Sequence, residues 1–294
     1  MPTDIIQWFP GHMAKTRRLM GENLKNVDLV IELLDARIPE SSRNPEIRRL
    51  VQDKPLLTLL NKSSLADPAE TEKWVRRYTG EGQRCLAFDC VTKAGLSQLM
   101  PTVREMLAAK LARYEAKGMQ GRRLRAMVVG IPNVGKSSLI NLLVGSKKAR
   151  VENRPGVTVA PQWVTTADGL SLMDMPGVLW PKFDDARVGE NLAITGAVKD
   201  DVVELETLAV VLCARLRRQY PALLLARYKL TENDLSAEIS DYDLFLHIGK
   251  KRGFLVSGGE VNTERTANML LDELRSGKIG RITLDVFDKG DKRC

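Results

Sequence analysis

The sequence predicts an α/β protein in which a doubly wound parallel sheet is followed by a small all-α domain. Short apolar runs such as Pro55 to Leu60 and Leu124 to Val129 end in polar or glycine-containing loops, as parallel strands do where they meet a ligand. Beyond Trp180, leucines recur at spacings of three and four residues, which is typical of buried helix faces. A chain of 294 residues accommodates two domains, and we place them at 1–180 and 181–294.

The composition excludes several classes of protein. With 44% hydrophobic and 28% charged residues, the chain is close to an average globular protein and unlike a disordered or fibrous one. No apolar run reaches the ~18 residues of a membrane span, and Met1 to Pro10 lacks the features of a secretory signal. The four cysteines show neither CxxC pairing nor metal-ligand spacing. We therefore expect a cytoplasmic protein with reduced thiols and no membrane contact.

The formal net charge of +8 indicates a polyanionic partner. Of the 45 basic residues, 30 precede Glu204, compared with 23 of the 37 acidic residues, so the excess lies in the first two thirds of the chain. Val103 to Arg125 alone contains seven basic residues and two acidic ones. This segment either contacts a polyanion or forms a solvated helix face, and charge alone favours the solvated face.

A phosphate-binding loop follows the strand Leu124 to Val129. It runs from Gly130 to Ser137 in a GxxxxGKS pattern and is followed by the apolar helical stretch Leu139 to Val144. In this order of strand, loop and helix, successive backbone N–H groups converge on a polyanion. Lys136 then reaches the terminal phosphates, and the Ser137 hydroxyl coordinates Mg²⁺. The loop alone is compatible with kinases, ATPases and GTPases.

A second motif narrows this choice. Leu170 to Met173 reads as a strand and is followed by the sequence DMPG, from Asp174 to Gly177. A carboxylate there can hold the Mg²⁺ shell, and a glycine N–H can reach the γ-phosphate. Between the two motifs, Thr158 lies in a polar loop suited to closing over Mg²⁺ and the γ-phosphate. Asp-x-Pro-Gly is also a common turn sequence, so it indicates a nucleotide site only in combination with the phosphate loop that precedes it.

The base-recognition motif precedes the phosphate loop instead of following it. The run Pro55 to Leu60 ends in NKSS, from Asn61 to Ser64, and the strand Arg84 to Phe88 ends in Asp89 and Cys90. These are the fourth and fifth motifs of a GTPase, so the order of motifs is circularly permuted. A doubly wound sheet tolerates this order because its ligand loops stay at the carboxyl ends of the strands. The prediction is a doubly wound P-loop GTPase domain with permuted motifs.

The chain resembles the ribosome biogenesis GTPase A family of circularly permuted GTPases, which belong to the TRAFAC class. The resemblance rests on these motifs together with Trp8 to Lys15, Asp35 to Pro39 and Pro155 to Thr158, and it covers most of the chain. It implies a Mg²⁺-dependent, ribosome-stimulated GTP hydrolase that acts in late assembly of the large ribosomal subunit. The implied partners are GTP, GDP and the subunit precursor with its rRNA, which the helical domain contacts until GTP hydrolysis releases the protein.

The motifs also specify the expected site, and we expect the protein to be monomeric. The residues expected to contact the nucleotide are Asn61, Lys62, Ser64, Asp89, Cys90, Asn133, Val134, Gly135, Lys136, Ser137, Ser138 and Gly177, and the expected Mg²⁺ ligands are Ser137, Thr158 and Asp174.

Position 64 departs from the family. The motif normally carries an aspartate there, whose carboxylate accepts hydrogen bonds from N1–H and the exocyclic amine of guanine, whereas Ser64 offers a shorter, uncharged acceptor. Loss of the charged bidentate contact weakens base binding by about 1.5 to 3 kcal/mol. The sequence therefore leaves guanine specificity open, with Asp67, three residues further on, as an alternative acceptor.

The expected catalytic residues are Lys136 and His12. Common small GTPases orient the attacking water with a glutamine after the DxxG glycine, but Val178 stands there and cannot hold a water. His12 lies in the stretch that matches the family's catalytic histidine segment, and histidine orients water or accepts a proton near neutral pH. A contact with RNA phosphate is the alternative role of His12. Asn133 resembles the asparagine with which related GTPases bind K⁺, and is otherwise a turn former.

The helical third carries two leucine stripes, at Leu205 to Leu216 and at Ala267 to Leu274, which we expect to be core. Its basic clusters could meet RNA phosphates or lie on a solvated face, and the nearly balanced charge of this third does not decide between them. These clusters are Lys250, Lys251 and Arg252, and Arg275, Lys278 and Arg281.

Two other functions fit parts of the same sequence. One is an RNA-binding assembly scaffold whose Ser64 site binds nucleotide loosely, with little turnover. The other is a small-molecule kinase built on the same phosphate loop, which is disfavoured because no acceptor-binding lid is recognisable.

Overall fold

The computed structural model describes residues 10–51, 54–119, 121–145, 162–166, 168–177, 179–180, 183 and 185–286, with the backbone alone described at 10–16 and 162. Two 3-10 helices, Asp200–Val202 and Glu232–Leu235, accompany the main elements. In chain order these elements are α1 (Pro10–Leu24), β1 (Leu29–Asp35), α2 (Pro45–Val51), β2 (Leu56–Asn61), α3 (Pro68–Gly80), β3 (Arg84–Ala87), α4 (Leu96–Met106), α5 (Ala108–Ala116), β4 (Leu124–Gly130), α6 (Lys136–Val144), β5 (Gln162–Thr165), β6 (Leu170–Asp174), α7 (Ala186–Ile194), α8 (Leu205–Gln219), α9 (Pro221–Tyr228), α10 (Asp241–Lys251) and α11 (Thr263–Arg275).

The six strands form one sheet in the order β3-β2-β1-β4-β6-β5. Neighbouring strands are parallel except for the edge pair β5 and β6. The register places Asp35 opposite Asn61 and Val128 opposite Asp174. The carboxyl ends of the parallel strands therefore meet at one edge of the sheet, which confirms the predicted α/β fold class. Motifs that are far apart in the chain are neighbours at this edge.

Both faces of the central strands are covered, so these strands do not alternate between apolar and polar residues. All seven residues of β1 are buried, and Arg125 is the exposed residue of β4. On one face, Ile31 belongs to the large apolar cluster that also contains residues of α4 and α6. On the other face, Val30 packs in a second cluster with Met20 of α1 and Ile47 of α2.

The C-terminal third is helical, as predicted, and its leucine stripes are core. Leu208, Leu212 and Leu216 of α8 are buried, as are Leu270 and Leu274 of α11. These residues belong to the same apolar cluster as one face of the sheet, so the helical third packs continuously against the first part of the chain. No helix within the described ranges is both long and apolar enough to cross a membrane.

All three arginines of the basic clusters in the helical third are used within the fold, and Arg281 is described with the C-terminal segment below. Arg275 donates to the carbonyl oxygens of Ala193 and Ile194 and pairs with Asp200 at 2.7 Å. Arg252 pairs with Glu273 at 3.0 Å. Lys250, Lys251 and Lys278, the lysines of these clusters, are exposed.

Residues 277–286, here called the C-terminal segment, return from α11 to the loop after β2. Arg281 donates from Nε to the carbonyl of Ala66 and from a terminal nitrogen to the carbonyl of Ser63, each at 2.9 Å. The backbone N–H of Ile282 donates to the carbonyl of Leu65, also at 2.9 Å. The C-terminal segment therefore stabilises the loop that carries the base-recognition motif through hydrogen bonds to its backbone carbonyls.

Asp285 fastens the C-terminal segment at a second point. Its carboxylate accepts hydrogen bonds from the backbone N–H and the hydroxyl of Ser41 and from the side-chain amide of Asn191, all at 2.7 Å. Ser41 and Asn191 are buried, and Asp285 is 8% exposed. One carboxylate thus satisfies buried donors from two parts of the chain that lie far apart in sequence.

We predict that Asp285→Ala lowers the free energy of unfolding by about 2 to 3 kcal/mol, because the buried donors of Ser41 and Asn191 lose their shared acceptor. Urea unfolding of the whole chain measures this change. Asp168→Ala, at an exposed turn position between β5 and β6, is the control and should shift stability by less than about 0.5 kcal/mol. Equal stability of the two variants would contradict the fastening role of Asp285.

Candidate nucleotide-binding site

Asn61, the last residue of β2, joins three loops at the carboxyl edge of the sheet. Its Nδ2 donates to the carbonyl of Val134 in the phosphate loop at 2.7 Å. Its Oδ1 accepts from the backbone N–H of Cys90, in the loop after β3, at 3.1 Å. Since Asn61 is 2% exposed, these bonds are shielded from water, and they hold the base-recognition loops in register with the phosphate loop.

The Lys62 side chain forms an ion pair with Asp35, a contact that the sequence motifs do not predict. The residue has a positive φ of 61°, and its ammonium lies 3.0 Å from Asp35 at the end of β1. Arg37 donates two further hydrogen bonds to the same carboxylate, at 2.9 and 2.7 Å. Burial opposes ionisation, but the charges of Arg37 and Lys62 keep the pKa of Asp35 well below its ordinary value. The ionised Asp35 therefore orients the Lys62 side chain at the base site.

Ser64 and Asp89 contact each other directly. The backbone N–H and the hydroxyl of Ser64 donate to one carboxylate oxygen of Asp89, at 3.0 and 2.6 Å. The other oxygen accepts from the backbone N–H groups of Val91 and Thr92 at 2.8 Å. Cys90, which follows Asp89 in the chain, lines the cavity described below. Burial raises the pKa of the Cys90 thiol to about 12. The thiol is therefore protonated at neutral pH.

Asp67, the alternative base acceptor, has another role in the structure. Asp67 is the N-cap of α3, and its carboxylate accepts from the backbone N–H groups of Ala69 and Glu70 at 2.8 and 3.2 Å. Capping a helix satisfies donors that have no partner within the helix, and Asp67 does not line the cavity. The carboxylate next to Ser64 comes from the loop after β3.

The glycines of the phosphate loop are required by close backbone approach. Gly130 has a φ of 149°, and a Cβ there would lie 2.6 Å from the carbonyl oxygen of Leu33. Gly135 has a φ of 106°, and its Cβ would lie 2.3 Å from the side-chain nitrogen of Asn61. Side chains rarely adopt these φ values and would collide as well. The loop therefore passes next to β1 and the base motif, with α6 starting directly after Gly135.

Lys136 is buried and turned back toward the phosphate loop. Its Nζ donates to the carbonyls of Gly130 and Ile131 at 3.2 and 2.8 Å, and the residue is 7% exposed. Burial lowers the pKa of Lys136 to about 8, although Asp174 opposes the shift. A Cβ on Gly177 would lie 2.9 Å from the Nζ of Lys136. The glycine of the DxPG motif is therefore next to the ammonium of the phosphate-loop lysine.

Ser137 and Asp174, two of the predicted Mg²⁺ ligands, contact each other. The Ser137 hydroxyl donates to a carboxylate oxygen of Asp174 at 3.1 Å, and Asp174 is 4% exposed. Within the described ranges, no group of three or more His, Cys, Asp or Glu side chains could hold a metal ion. A hydroxyl and one carboxylate fit Mg²⁺, which usually retains several waters and binds substrate phosphates. Thr158, the third expected ligand, lies outside the described residues.

A cavity of about 1110 Å³ opens between these loops and the helical third. Asn61, Ser64 and Ser138 line it from the sheet side, while Gly196 and Lys278 line it from the helical side. This volume is sufficient for a nucleotide, since ligand cavities commonly measure about 300 to 1,000 Å³. The sequence motifs do not predict the helical wall, because it is formed by residues without a motif.

Two predicted residues are placed only in part. The side-chain amide of Asn133 donates to the carbonyl of Gly196 at 2.8 Å, and the residue has a φ of 56°. The observed contact is structural, and K⁺ binding at Asn133 stays a prediction. His12 falls within α1, but its side chain lies outside the described residues, as does the whole of Val178. The catalytic role of His12 also stays a prediction.

The lowered pKa of Lys136 predicts that phosphate binding takes up a proton. A bound phosphate favours the charged lysine and raises its pKa above the value of about 8 in the free chain. Affinity for a triphosphate nucleotide should therefore fall as the pH rises through 8. Calorimetric titration above this pH, in two buffers with different ionisation enthalpies, should detect proton uptake. Lys136→Arg, which stays charged, should remove the uptake. Binding without uptake by the wild-type protein would contradict the prediction.

The chain matches a family model described as 50S ribosome-binding GTPase over residues 125–242. It is also similar to the solved structure of GNP-bound YlqF from T. maritima. The TM-score is 0.61 at 23% identity, and the match covers 93% of this chain and 100% of that chain. This likeness confirms the fold.

Curated relatives match nearly the whole chain. Ribosome biogenesis GTPase A of Bacillus pumilus is 46% identical over 280 residues, which cover 95% of this chain and 98% of that protein. Mitochondrial ribosome-associated GTPase 1 of Mus musculus is 37% identical over 298 residues, which cover 96% and 90%. The permuted motifs meet at one edge of the sheet, and the identities to curated relatives extend over nearly the whole chain. The chain therefore belongs to the ribosome biogenesis GTPase A family.

Proposed function

We propose that this chain is a GTP hydrolase of late large-subunit assembly, which binds the precursor subunit with GTP and leaves it when GTP is hydrolysed. The proposal is supported most directly by the site at the carboxyl edge of the sheet. There, Asn61 joins the base loop to the phosphate loop, and the Ser137–Asp174 pair stands beside Lys136. The ribosomal role is supported by relatives whose names place them in ribosome biogenesis.

The residues at this edge divide the work of hydrolysis. The backbone N–H groups around Gly135 and the ammonium of Lys136 bind the phosphates and stabilise the negative charge that develops on them. Ser137 and Asp174 would hold Mg²⁺, which supplies neutralising positive charge when bound. His12 orients the attacking water, since Val178 has no polar atom in its side chain. Asn61 and Lys62 keep the base end fixed while the phosphate end reacts.

We further propose that residues 181–294 are a helical domain that contacts rRNA while packing on the first domain, and that the protein acts as a cytoplasmic monomer. Lys250 and Lys251, exposed at the end of α10, are suited to RNA phosphates. The helical wall of the nucleotide cavity connects this domain to the site, because Gly196 accepts a hydrogen bond from Asn133 of the phosphate loop. Loss of the γ-phosphate would thereby change how the helical domain is held on RNA.

We predict that the GTP-analogue form sediments with immature large subunits, that mature subunits retain less of it, and that the GDP form stays in the supernatant. The expected difference in affinity between the two nucleotide forms is about 5- to 150-fold, the usual range of coupling between two sites. Co-sedimentation at fixed salt measures it, and Lys136→Ala serves as the variant with impaired phosphate binding. Equal sedimentation of both forms would contradict release on hydrolysis. Nucleotide-independent binding without turnover would support the RNA-binding scaffold instead.

We predict that His12→Ala lowers subunit-stimulated GTP turnover by about 100-fold, since a positioned acid or base typically contributes 10²- to 10⁴-fold. Nucleotide affinity should not change. Phosphate release with and without large subunits measures turnover, and GDP titration measures affinity. His247→Ala is the matched control, because His247 on α10 faces Asp234 and not the nucleotide site. Full stimulated turnover by His12→Ala would overturn the catalytic role.

A further inference from the structure

The Ser64 hydroxyl is the polar side chain at the position where the family motif carries its base-reading aspartate. Ser64 lines the nucleotide cavity and is partly exposed to it. Its hydroxyl donates to Asp89 at an Oγ–Oδ2 distance of 2.6 Å, within the short range of hydrogen bonds to an ionised acceptor. A serine at this position therefore comes with a carboxylate directly behind it.

Asp89 receives only donors. Its two oxygens accept from the hydroxyl and backbone N–H of Ser64 and from the backbone N–H groups of Val91 and Thr92. Burial opposes ionisation, but these hydrogen bonds, that of the Ser64 hydroxyl first, lower the pKa of Asp89 below its ordinary value. Asp89 is thus an anion at neutral pH. Both residues line the cavity, but Asp89 is only 2% exposed whereas Ser64 is partly exposed, so Ser64 is the more accessible of the two to a bound base.

This arrangement changes what the serine can do. A hydroxyl has one hydrogen to donate and two lone pairs to accept with. Because the hydrogen of Ser64 is committed to Asp89, its oxygen can only accept, and the adjacent anion polarises it further. Guanine presents N1–H and an amine, which are donors, whereas N1 of adenine is an acceptor. A free serine hydroxyl could serve either base, but one bonded to a carboxylate favours guanine.

Other carboxylates in or near the cavity are less suited to this task. Asp35 lies behind the lining residues Arg37 and Lys62, which neutralise it. Asp200, on the helical wall, pairs with Arg275. Asp201 and Asp272 also line the cavity from the helical side, but neither lies in the loop that Asn61 holds in register with the phosphate loop. Asp201 and Asp272 are the alternative base acceptors that an experiment has to exclude.

We propose that Ser64 and Asp89 together form the guanine-specific acceptor of this chain, with Ser64 as the specificity-determining residue and Asp89 as the positioning residue that makes its hydroxyl an acceptor. The carboxylate missing from the base-recognition motif is thereby supplied from the loop after β3. This inference rests on the proposed function, because it assigns the base specificity of the same nucleotide site.

Calorimetric titration of the full chain with the Mg²⁺ complexes of GDP and ADP tests the role of Ser64. The wild-type protein should prefer GDP. Ser64→Ala should reduce the ratio of GDP to ADP affinity by about 10- to 100-fold, because it removes the polarised hydroxyl acceptor and leaves a guanine donor unpaired in the site. Ser64→Thr, which keeps the hydroxyl, should retain the preference, as should the control Ser97→Ala at an exposed position of α4. A preference that survives Ser64→Ala overturns the inference and points to Asp201 or Asp272.

A test of Asp89 has to measure a quantity that does not change when the loop merely loses its structure. A purely structural defect weakens GDP and ADP equally, whereas the proposed role requires their ratio to change. Asp89→Asn should lower the GDP to ADP ratio, since its amide can donate to Ser64 and free the serine hydrogen for adenine. Equal weakening of both nucleotides by Asp89→Asn would overturn the positioning role.

Exchanging the two side chains gives a second, independent test. Asp89→Ser alone removes the carboxylate and should lose guanine preference, while Ser64→Asp with Asp89→Ser restores a carboxylate and hydroxyl pair and should recover it. Failure of the exchange to recover preference in a folded protein overturns the inference. A wild-type chain that binds GDP and ADP equally would overturn the guanine assignment of the proposed function as well, and this result is distinct from preference that persists in Ser64→Ala.

Discussion

The side-chain amide of Asn61 holds together loops that the chain order separates. It donates to Val134 in the phosphate loop and accepts from Cys90 in the loop after β3, and its nitrogen comes so close to Gly135 that a Cβ could not fit there. These contacts are buried and fix the position of the base end of the site relative to the phosphate end. The positions of Lys62 beside Asp35 and of Ser64 beside Asp89 depend on the same anchoring.

Permutation adds a connection that the motifs alone do not require. The chain passes from the DxPG motif into the helical third and then returns through the C-terminal segment to the loop after β2. Arg281 and Ile282 bind the carbonyls of that loop, while Asp285 is held by Ser41 and Asn191. The helical third therefore contacts both the base-recognition loop and the phosphate loop.

Much of the fold was predictable from local sequence patterns. Apolar runs that end in motif residues are strands, and the leucine stripes of α8 and α11 are buried, because both patterns express the geometry of a single element. Residues with alternative uses were harder to assign. Asp67 was a candidate base acceptor by spacing, yet it caps α3. Arg275 and Arg281 were candidates for RNA, yet they bind carbonyl oxygens within the fold. A charge in a sequence does not specify its partner.

By itself, the sequence determined a phosphate loop and a permuted base motif, since each motif depends on residues close together in the chain, and it predicted Ser137 and Asp174 as Mg²⁺ ligands. Only the tertiary structure decided what surrounds Ser64. The hydroxyl meets Asp89, 25 residues away in sequence, because β2 and β3 are adjacent parallel strands whose carboxyl ends lie side by side. The helical wall of the cavity was likewise decided by packing, because Gly196 and Lys278 carry no motif and reach the site only when the helices fold back on the sheet.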